Sequence, residues 1–132
     1  MASELRVNTL KDASGNNSIA TSYVARGPLK AWVNFNGTGT IAARDSLNLS
    51  SLTDNGTGQY TITFSSAFSA VDYCFTGTCG QTTATSRNAG ITFDDNSSTP
   101  STTAHRILSR KRDDQTNVDC ANEHGQTSGD LA

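Results

Sequence analysis

Residues 32–64, WVNFNGTGTIAARDSLNLSSLTDNGTGQYTITF, decide the fold class, because apolar and polar residues alternate at both ends of this stretch. At the first end, Val33 and Phe35 share one side of an extended chain with Ala31, and Trp32 points to the opposite side. The same alternation at the second end places three residues on a common side: Tyr60, Ile62 and Phe64. A period of two is typical of a β-strand with one buried face. The stretch therefore predicts two strands of a half-buried sheet.

The tetrapeptide Asn-Gly-Thr-Gly occurs twice between these ends, starting at Asn36 and at Asn55. Asn-Gly supplies the positive φ angles that tight hairpin turns require. A phosphate-binding loop would instead place its glycines at the start of a helix, where backbone N–H groups are free to bind an anion. Since each copy adjoins an alternating strand, we predict that Asn36-Gly37 and Asn55-Gly56 are turn residues.

The rest of the chain contains further short alternating segments separated by polar turns. Two are clear: Val71, Tyr73 and Phe75 in one, Ile91 and Phe93 in the next. Three are weaker: Thr40 to Ala43, Arg106 to Leu108, and Thr116 to Ala121. Turn signals about every ten residues favour two packed antiparallel sheets. The predicted fold is therefore all-β, a small antiparallel β-sandwich.

The composition indicates a thin hydrophobic core. Only 34% of the 132 residues are hydrophobic and 17% are charged, against roughly 45–50% apolar in an ordinary globular domain. Small domains bury a smaller share of their surface, so association between copies is a common remedy. The formal net charge of -2 argues against a nucleic-acid partner, and no apolar run is long enough for membrane insertion.

Residues 1–27 differ from the remainder and form a predicted N-terminal β arm, with Gly27-Pro28 marking the boundary to a sandwich domain of residues 28–132. The arm has too few apolar residues to fold alone, so another copy of the chain is its expected partner. The predicted oligomer interface consists of Leu5, Val7, Leu10, Ile19 and Trp32. The N-terminus lacks the apolar segment of a signal peptide, which predicts that the chain is made in a cytosol and either stays there or leaves by a route other than general secretion.

Cysteine and histidine residues give a weak signal for metal binding. Cys74 and Cys79 could pair across a short hairpin, although a reducing cytosol favours free thiols. The soft ligands are Cys74, Cys79, His105, Cys120 and His124. Their spacing departs from that of zinc sites with two close cysteine pairs. The segment HRILSRKRDD, residues 105–114, is predicted to be a solvated hairpin turn rather than a phosphate site. We predict no metal site, no cofactor and no catalytic residue.

Residues 30–68, KAWVNFNGTGTIAARDSLNLSSLTDNGTGQYTITFSSAF, resemble a segment common in tail-fibre and related virion proteins of marine bacteriophages, cyanophages among them. The preceding ELRVNTLKDASGN is similar to the opening of many such proteins, and the two together cover residues 4–68. The resemblance implies a β-rich, usually trimeric and non-enzymatic module displayed on a virion. It also implies an apolar strand near the C-terminus, whereas residues 118–125, VDCANEHG, are polar.

These observations predict a virion structural protein of a tailed phage, assembled in the bacterial host cytoplasm. In the first hypothesis it is a homotrimeric tail-fibre or fibre-tip component that joins other virion proteins and contacts host surface glycan or lipopolysaccharide. Trp32 is then either a sugar-stacking residue or, more in keeping with aromatic residues generally, part of an interface. The alternatives are a trimeric decoration protein that stabilises the capsid and a polysaccharide-degrading tailspike fragment.

Overall fold

The computed structural model describes residues 3, 5–15, 18–21, 24, 27–80, 89–94 and 99–132 of the chain. The fold is all-β, as the alternating pattern predicted, and its sheets are antiparallel. The strands within the described residues are β1 (Thr9–Lys11), β2 (Ser18–Ala20), β3 (Leu29–Asn36), β4 (Ala42–Leu47), β5 (Leu49–Gly56), β6 (Gln59–Phe64), β7 (Cys74–Gly80), β8 (Ala89–Phe93), β9 (Ala104–Lys111) and β10 (Asn122–Ser128).

Two four-stranded sheets form a sandwich, which confirms the predicted architecture. The first sheet has the strand order β4-β3-β10-β7, and the second has the order β5-β6-β9-β8. The chain passes from one sheet to the other between β4 and β5, where Asn48 adopts a left-handed backbone with a φ of 57°. Asn tolerates this conformation better than most residues. The last strand, β10, is central in its sheet and pairs with β3 on one side and β7 on the other.

The core lies between the two sheets and contains the two predicted alternating faces. Ala31, Val33 and Phe35 of β3 and Tyr60, Ile62 and Phe64 of β6 are all buried. The Phe35 and Tyr60 rings meet edge to face with centroids 5.0 Å apart, a favoured aromatic geometry. Tyr73 is buried as well, but Val71 is 56% exposed. The prediction that Val71 shares a strand face with Tyr73 is therefore wrong, because β7 begins only at Cys74.

The glycine-rich repeats do form turns, but of the two predicted Asn-Gly pairs only Gly56 of the second has a positive φ, and the other positive φ angles in the repeats fall on the later glycine of each. In the β5–β6 hairpin, Gly56 has a φ of 125° and Gly58 a φ of 66°. In the β3–β4 connection, Gly39 has a φ of 62°. Gly37 serves a different purpose, because a Cβ atom there would lie 2.6 Å from the Tyr60 hydroxyl oxygen. The first repeat therefore forms a turn and also lets the backbone at Gly37 lie close to the Tyr60 hydroxyl.

The polar C-terminal segment forms a central strand, although the predicted strand over residues 116–121 is wrong. Glu123, Gly125 and Thr127 of β10 face the interior and are buried, while the residues between them are exposed. A side chain at position 125 would collide with the Phe75 ring, since its Cβ would lie 2.9 Å from the ring. Glycine, a hydroxyl and a carboxyl group therefore occupy interior positions where an apolar pattern would be expected.

The N-terminal arm contains a separate two-stranded sheet, and within the described part of the chain β1 and β2 pair with each other and with no other strand. Leu10 lies opposite Ile19 in this hairpin. Leu5, Val7, Leu10 and Ile19 expose between 40% and 80% of their surface. The arm is thus strand-forming, as predicted, and part of it lies outside the described residues. The predicted trimer remains a prediction.

Candidate functional site

The outer face of the first sheet carries a regular array of polar side chains around one tryptophan. The strand register aligns them in two rows that run across β3, β10 and β7. The first row contains Asn34, His124 and Thr78, and the second contains Trp32, Gln126 and Thr76. These residues line a groove of about 730 Å³ together with Leu29, Val33, Gly77 and Gly125.

The groove exists because each of its strands alternates. In β3, burial of Val33 and Phe35 forces Trp32 and Asn34 to the outside. In β10, burial of Glu123 and Thr127 does the same for His124 and Gln126. Since side chains on one face of adjacent antiparallel strands stand directly opposite each other, residues from distant parts of the sequence form one surface.

Trp32 marks the apolar end of the groove, and the amide of Asn34 is held in one orientation beside it. Leu47 of β4 stands opposite Trp32 and is exposed. Arg44 Nη1 donates hydrogen bonds to Asn34 Oδ1 at 3.1 Å and to the Phe35 carbonyl at 2.9 Å, and its Nη2 donates to the Ala121 carbonyl at 2.7 Å. Because the Asn34 oxygen accepts from Arg44, its amide nitrogen is the atom left to donate to a ligand.

The chemistry of this groove suits a polyhydroxylated ligand. An indole supplies a large apolar surface with a polar edge, and the amides, hydroxyls and imidazole supply both donors and acceptors. The described lining residues include no carboxylate. Glycoside hydrolysis normally requires a pair of carboxyl groups held about the scissile bond, and the described lining of the groove does not supply such a pair.

The five predicted interface residues fall into two separate places. Leu10 and Ile19 face each other across the arm hairpin, and Leu5 and Val7 precede it. Trp32 lies in the groove of the sandwich. The structure therefore brings Leu10 and Ile19 together, whereas Trp32 belongs to the sandwich. Sequence reasoning placed Trp32 on the solvent side of its strand but missed the polar partners, because only strand register brings them together.

Of the five soft metal ligands considered in the sequence, the structure brings only Cys79 and Cys120 together. Cys74 is exposed at the start of β7, and His124 points into the groove. His105 is buried among aromatic rings. Cys74 and Cys79 lie near opposite ends of one strand, so they do not face each other across a hairpin. No disulfide bond joins any two of these cysteines, all three of which lie among the described residues.

The two thiols share a small polar cluster with a carboxyl group that sequence reasoning missed. The cluster consists of Cys79, Cys120, Ser109 and Glu123. Ser109 Oγ lies 2.9 Å from both carboxyl oxygens of Glu123, and the Cys120 backbone N–H donates to that carboxyl group at 3.3 Å. Burial raises the pKa of Glu123 to about 8, since desolvation penalises the charged form. The hydrogen bond from Cys120 lowers the pKa of the Cys79 thiol.

The basic segment of residues 105–114 is a strand followed by a turn. Arg106 Nε forms an ion pair with Asp94 at 3.0 Å, and Asp94 is 3% exposed. Arg110 Nε donates to Asn117 Oδ1 at 3.0 Å. The predicted solvated hairpin turn is therefore confirmed only after Lys111, and it is wrong for the residues before it, because β9 runs to Lys111 and buries His105 and Ile107. Two of the four basic residues have partners within the chain.

No protein-family model, curated protein or solved structure matches this chain. Within the described residues, there is also no helix with the length and hydrophobicity that crossing a bilayer requires. The groove and its chemistry therefore carry the functional argument.

Proposed function

We propose that this chain is a non-enzymatic structural protein of a tailed-phage virion, a tail-fibre or fibre-tip component that binds host surface glycan through the groove of the first sheet. The single observation that carries the proposal is the groove itself. A partly exposed Trp32 stands there beside ordered rows of amide, hydroxyl and imidazole groups. The resemblance of residues 4–68 to tail-fibre proteins supplies the biological setting.

The size and shape of the groove support binding of a short oligosaccharide. Its volume of about 730 Å³ falls within the roughly 300–1,000 Å³ of typical ligand sites. A sugar ring that stacks on Trp32 would place its hydroxyl groups over Gln126 and Asn34. The fixed orientation of the Asn34 amide lowers the entropy cost of forming that hydrogen bond.

Several copies working together would make a weak single site sufficient. The exposed apolar side chains of the arm, Leu10 and Ile19 among them, offer a surface for association. In a homotrimer mounted on a virion, each further binding event becomes intramolecular, which raises overall avidity without new contacts. The arm would hold the copies together and attach them to other virion proteins, and the sandwich would face the host.

The alternative role as a capsid decoration protein shares the need for an associating arm. It does not call for a sugar-compatible groove, and this difference favours the tail. Electron microscopy of virions with an antibody to this chain is expected to label the tail appendages. Label confined to the head, at hundreds of copies per particle, would instead establish the decoration role.

The binding function itself is tested with the purified chain and immobilised lipopolysaccharide and capsular polysaccharide from candidate bacterial hosts. We expect Trp32→Ala to weaken retention at least tenfold, equivalent to about 1.4 kcal/mol per site. Trp32→Phe, which keeps an aromatic face, should retain part of the affinity. The matched control is Val71→Ala, which truncates an apolar residue that is 56% exposed and lies outside the groove lining. Equal retention by Trp32→Ala and Val71→Ala would refute the groove as the binding site.

A further inference from the structure

The polar cluster between the sheets contains three metal-binding side chains from three parts of the chain. Cys79 lies near the end of β7, Cys120 lies in the segment before β10, and Glu123 lies in β10 itself. Strand pairing places Cys79 directly opposite Glu123. The two sulfur atoms and a carboxylate oxygen all lie within 4.8 Å of one another.

Burial and charge distinguish this cluster from an ordinary surface grouping. Cys120 and Glu123 are fully buried, with no exposed surface, whereas Cys79 is only partly buried. Among the described residues, no basic side chain forms an ion pair with Glu123. A buried carboxyl group without a cation partner is costly in its charged form, and two thiols point at the same position. The arrangement matches the chemistry of a site for a cation.

We propose that Cys79, Cys120 and Glu123 bind a single Zn²⁺ ion. Thiolate and carboxylate are both regular zinc ligands. A tetrahedral ion with bonds of about 2.3 Å to sulfur and about 2.1 Å to oxygen sets its ligand atoms about 3.6–3.8 Å apart. Because the three atoms already lie within 4.8 Å of one another, the side chains need to close by at most about 1.2 Å to reach that spacing.

The surroundings of the cluster complete the site. Cys79 is the only one of the three ligands that is partly exposed, so its side of the cluster offers the route of entry and the place for a fourth, water ligand. Ser109 of the opposite sheet holds the carboxyl group from behind, as residues that orient metal ligands commonly do. Two thiolates, one carboxylate and Zn²⁺ sum to one negative charge, and Arg112 is close enough to favour the Cys79 thiolate electrostatically.

Such an ion would fasten three segments of the first sheet and, through Ser109, link them to the second. Metal binding to a site that exists only in the folded state adds directly to folding stability. The site has no role in the groove and goes beyond the proposed glycan binding. It also departs from the sequence-based prediction of no metal site, because that prediction considered only cysteine and histidine spacing.

The test uses the full chain, stripped with a chelator and kept reduced. Zn²⁺ is added, and binding is followed by competition with a chromophoric chelator. Co²⁺ is then used as a spectroscopic probe. We expect one Zn²⁺ per chain, a raised melting temperature, and thiolate-to-Co²⁺ charge-transfer absorption. Cys79→Ser and Cys120→Ser should each weaken binding at least 100-fold, and Glu123→Gln at least tenfold. Cys74→Ser, which changes the exposed third cysteine, should stay within twofold of wild type.

Several results would overturn the proposal. These are the absence of Zn²⁺ binding at micromolar concentration in the wild-type chain, a Co²⁺ spectrum without thiolate bands, or an equal loss in Cys74→Ser. A Cys79–Cys120 disulfide in protein alkylated at cell lysis would overturn it as well. Far-ultraviolet circular dichroism of each metal-free variant shows whether it folds. The wild-type Co²⁺ spectrum tests thiolate ligation even if a core variant fails to fold.

Discussion

His105 provides a sharp test of how the sandwich is stabilised, because an ionisable ring occupies the centre of its aromatic core. The side chain is 2% exposed. It is surrounded by the rings of Phe64, Tyr73, Phe75 and Phe93, with centroids 5.0–5.7 Å away. Neither ring nitrogen has a hydrogen-bond partner among the described residues. The imidazole therefore packs as a neutral aromatic ring, and burial lowers its pKa from 6.5 to about 4.

This pKa shift predicts the direction and size of a pH effect on stability. Below pH 6.5 the unfolded chain takes up a proton on His105, while the folded chain stays neutral until about pH 4. The free energy of unfolding therefore falls as the pH is lowered through this window and is fully retained above it. Because burial lowers the pKa of His105 from 6.5 to about 4, the loss in the free energy of unfolding is about 3 kcal/mol.

His105→Phe removes the titrating group and preserves a ring in the core. We expect this variant to be as stable as wild type or slightly more stable at pH 7.5, since it eliminates two buried nitrogens without partners. On acidification the advantage should grow by about 3 kcal/mol between pH 6.5 and pH 4. Urea unfolding at a fixed protein concentration, repeated at several pH values, measures the difference.

Wild type must be compared with His105→Phe because Glu123 changes the free energy of unfolding with pH in the opposite direction to His105. Its pKa is raised from 4.5 to about 8, so its contribution to stability is lost as the pH rises through that range. Subtracting the free energy of unfolding of wild type from that of His105→Phe at each pH cancels the Glu123 contribution and leaves the contribution of His105. In His124→Gln, which changes the exposed histidine, the wild-type loss attributed to His105 should persist. Parallel pH profiles for wild type and His105→Phe would refute the reasoning.

Three further outcomes follow from individual contacts. Tyr60→Phe should lower the free energy of unfolding, measured by urea titration, by about 1–3 kcal/mol. The reason is that the buried Tyr60 hydroxyl donates a hydrogen bond of 2.8 Å to the Gly37 carbonyl. An unchanged midpoint of urea unfolding would contradict this prediction. Gly58→Ala should lower the melting temperature more than Gly39→Ala. Both glycines have a positive φ, but only a Cβ atom at position 58 would meet a backbone oxygen, at 2.5 Å. Equal melting temperatures of the two variants would contradict this prediction. The proposed trimer predicts that Leu10→Ser combined with Ile19→Ser lowers the mass measured by light scattering to that of a monomer; the same mass in wild type and variant would contradict the proposed role of the arm.

The sequence predicted the strands that alternate most strongly, and it missed or only partly assigned two of the four edge strands of the sandwich, β4 and β5. β3 and β6 were found because each buries one face completely. β5 was missed, and β4 was assigned only at its first residues, because both are edge strands with mostly exposed side chains. An edge strand need not bury apolar residues on either face, so periodicity gives little signal there.

The last strand, the groove and the polar cluster could not be predicted from the sequence, for a different reason. β10 buries Glu123, Gly125 and Thr127, an alternation that hydrophobicity alone does not reveal. Position 125 demands glycine only because a ring from another strand packs against it. The groove and the polar cluster likewise depend on pairings between β3, β7 and β10. Such pairings are a property of the topology, which local sequence patterns do not encode.

The low apolar content of the chain has a more specific consequence than a general need for partners. The sandwich fills its interior partly with polar residues, and the buried set includes Asp94, His105, Ser109, Glu123 and Thr127. Three of these have partners within the sandwich: Asp94 forms an ion pair with Arg106, and Ser109 and Glu123 form hydrogen bonds with each other. The arm differs, because its described apolar side chains are exposed and, within the described residues, its two strands pair with each other and with no other strand. Isolated two-stranded hairpins are marginally stable in water. Association, where it occurs, should therefore stabilise the arm and leave the sandwich unchanged.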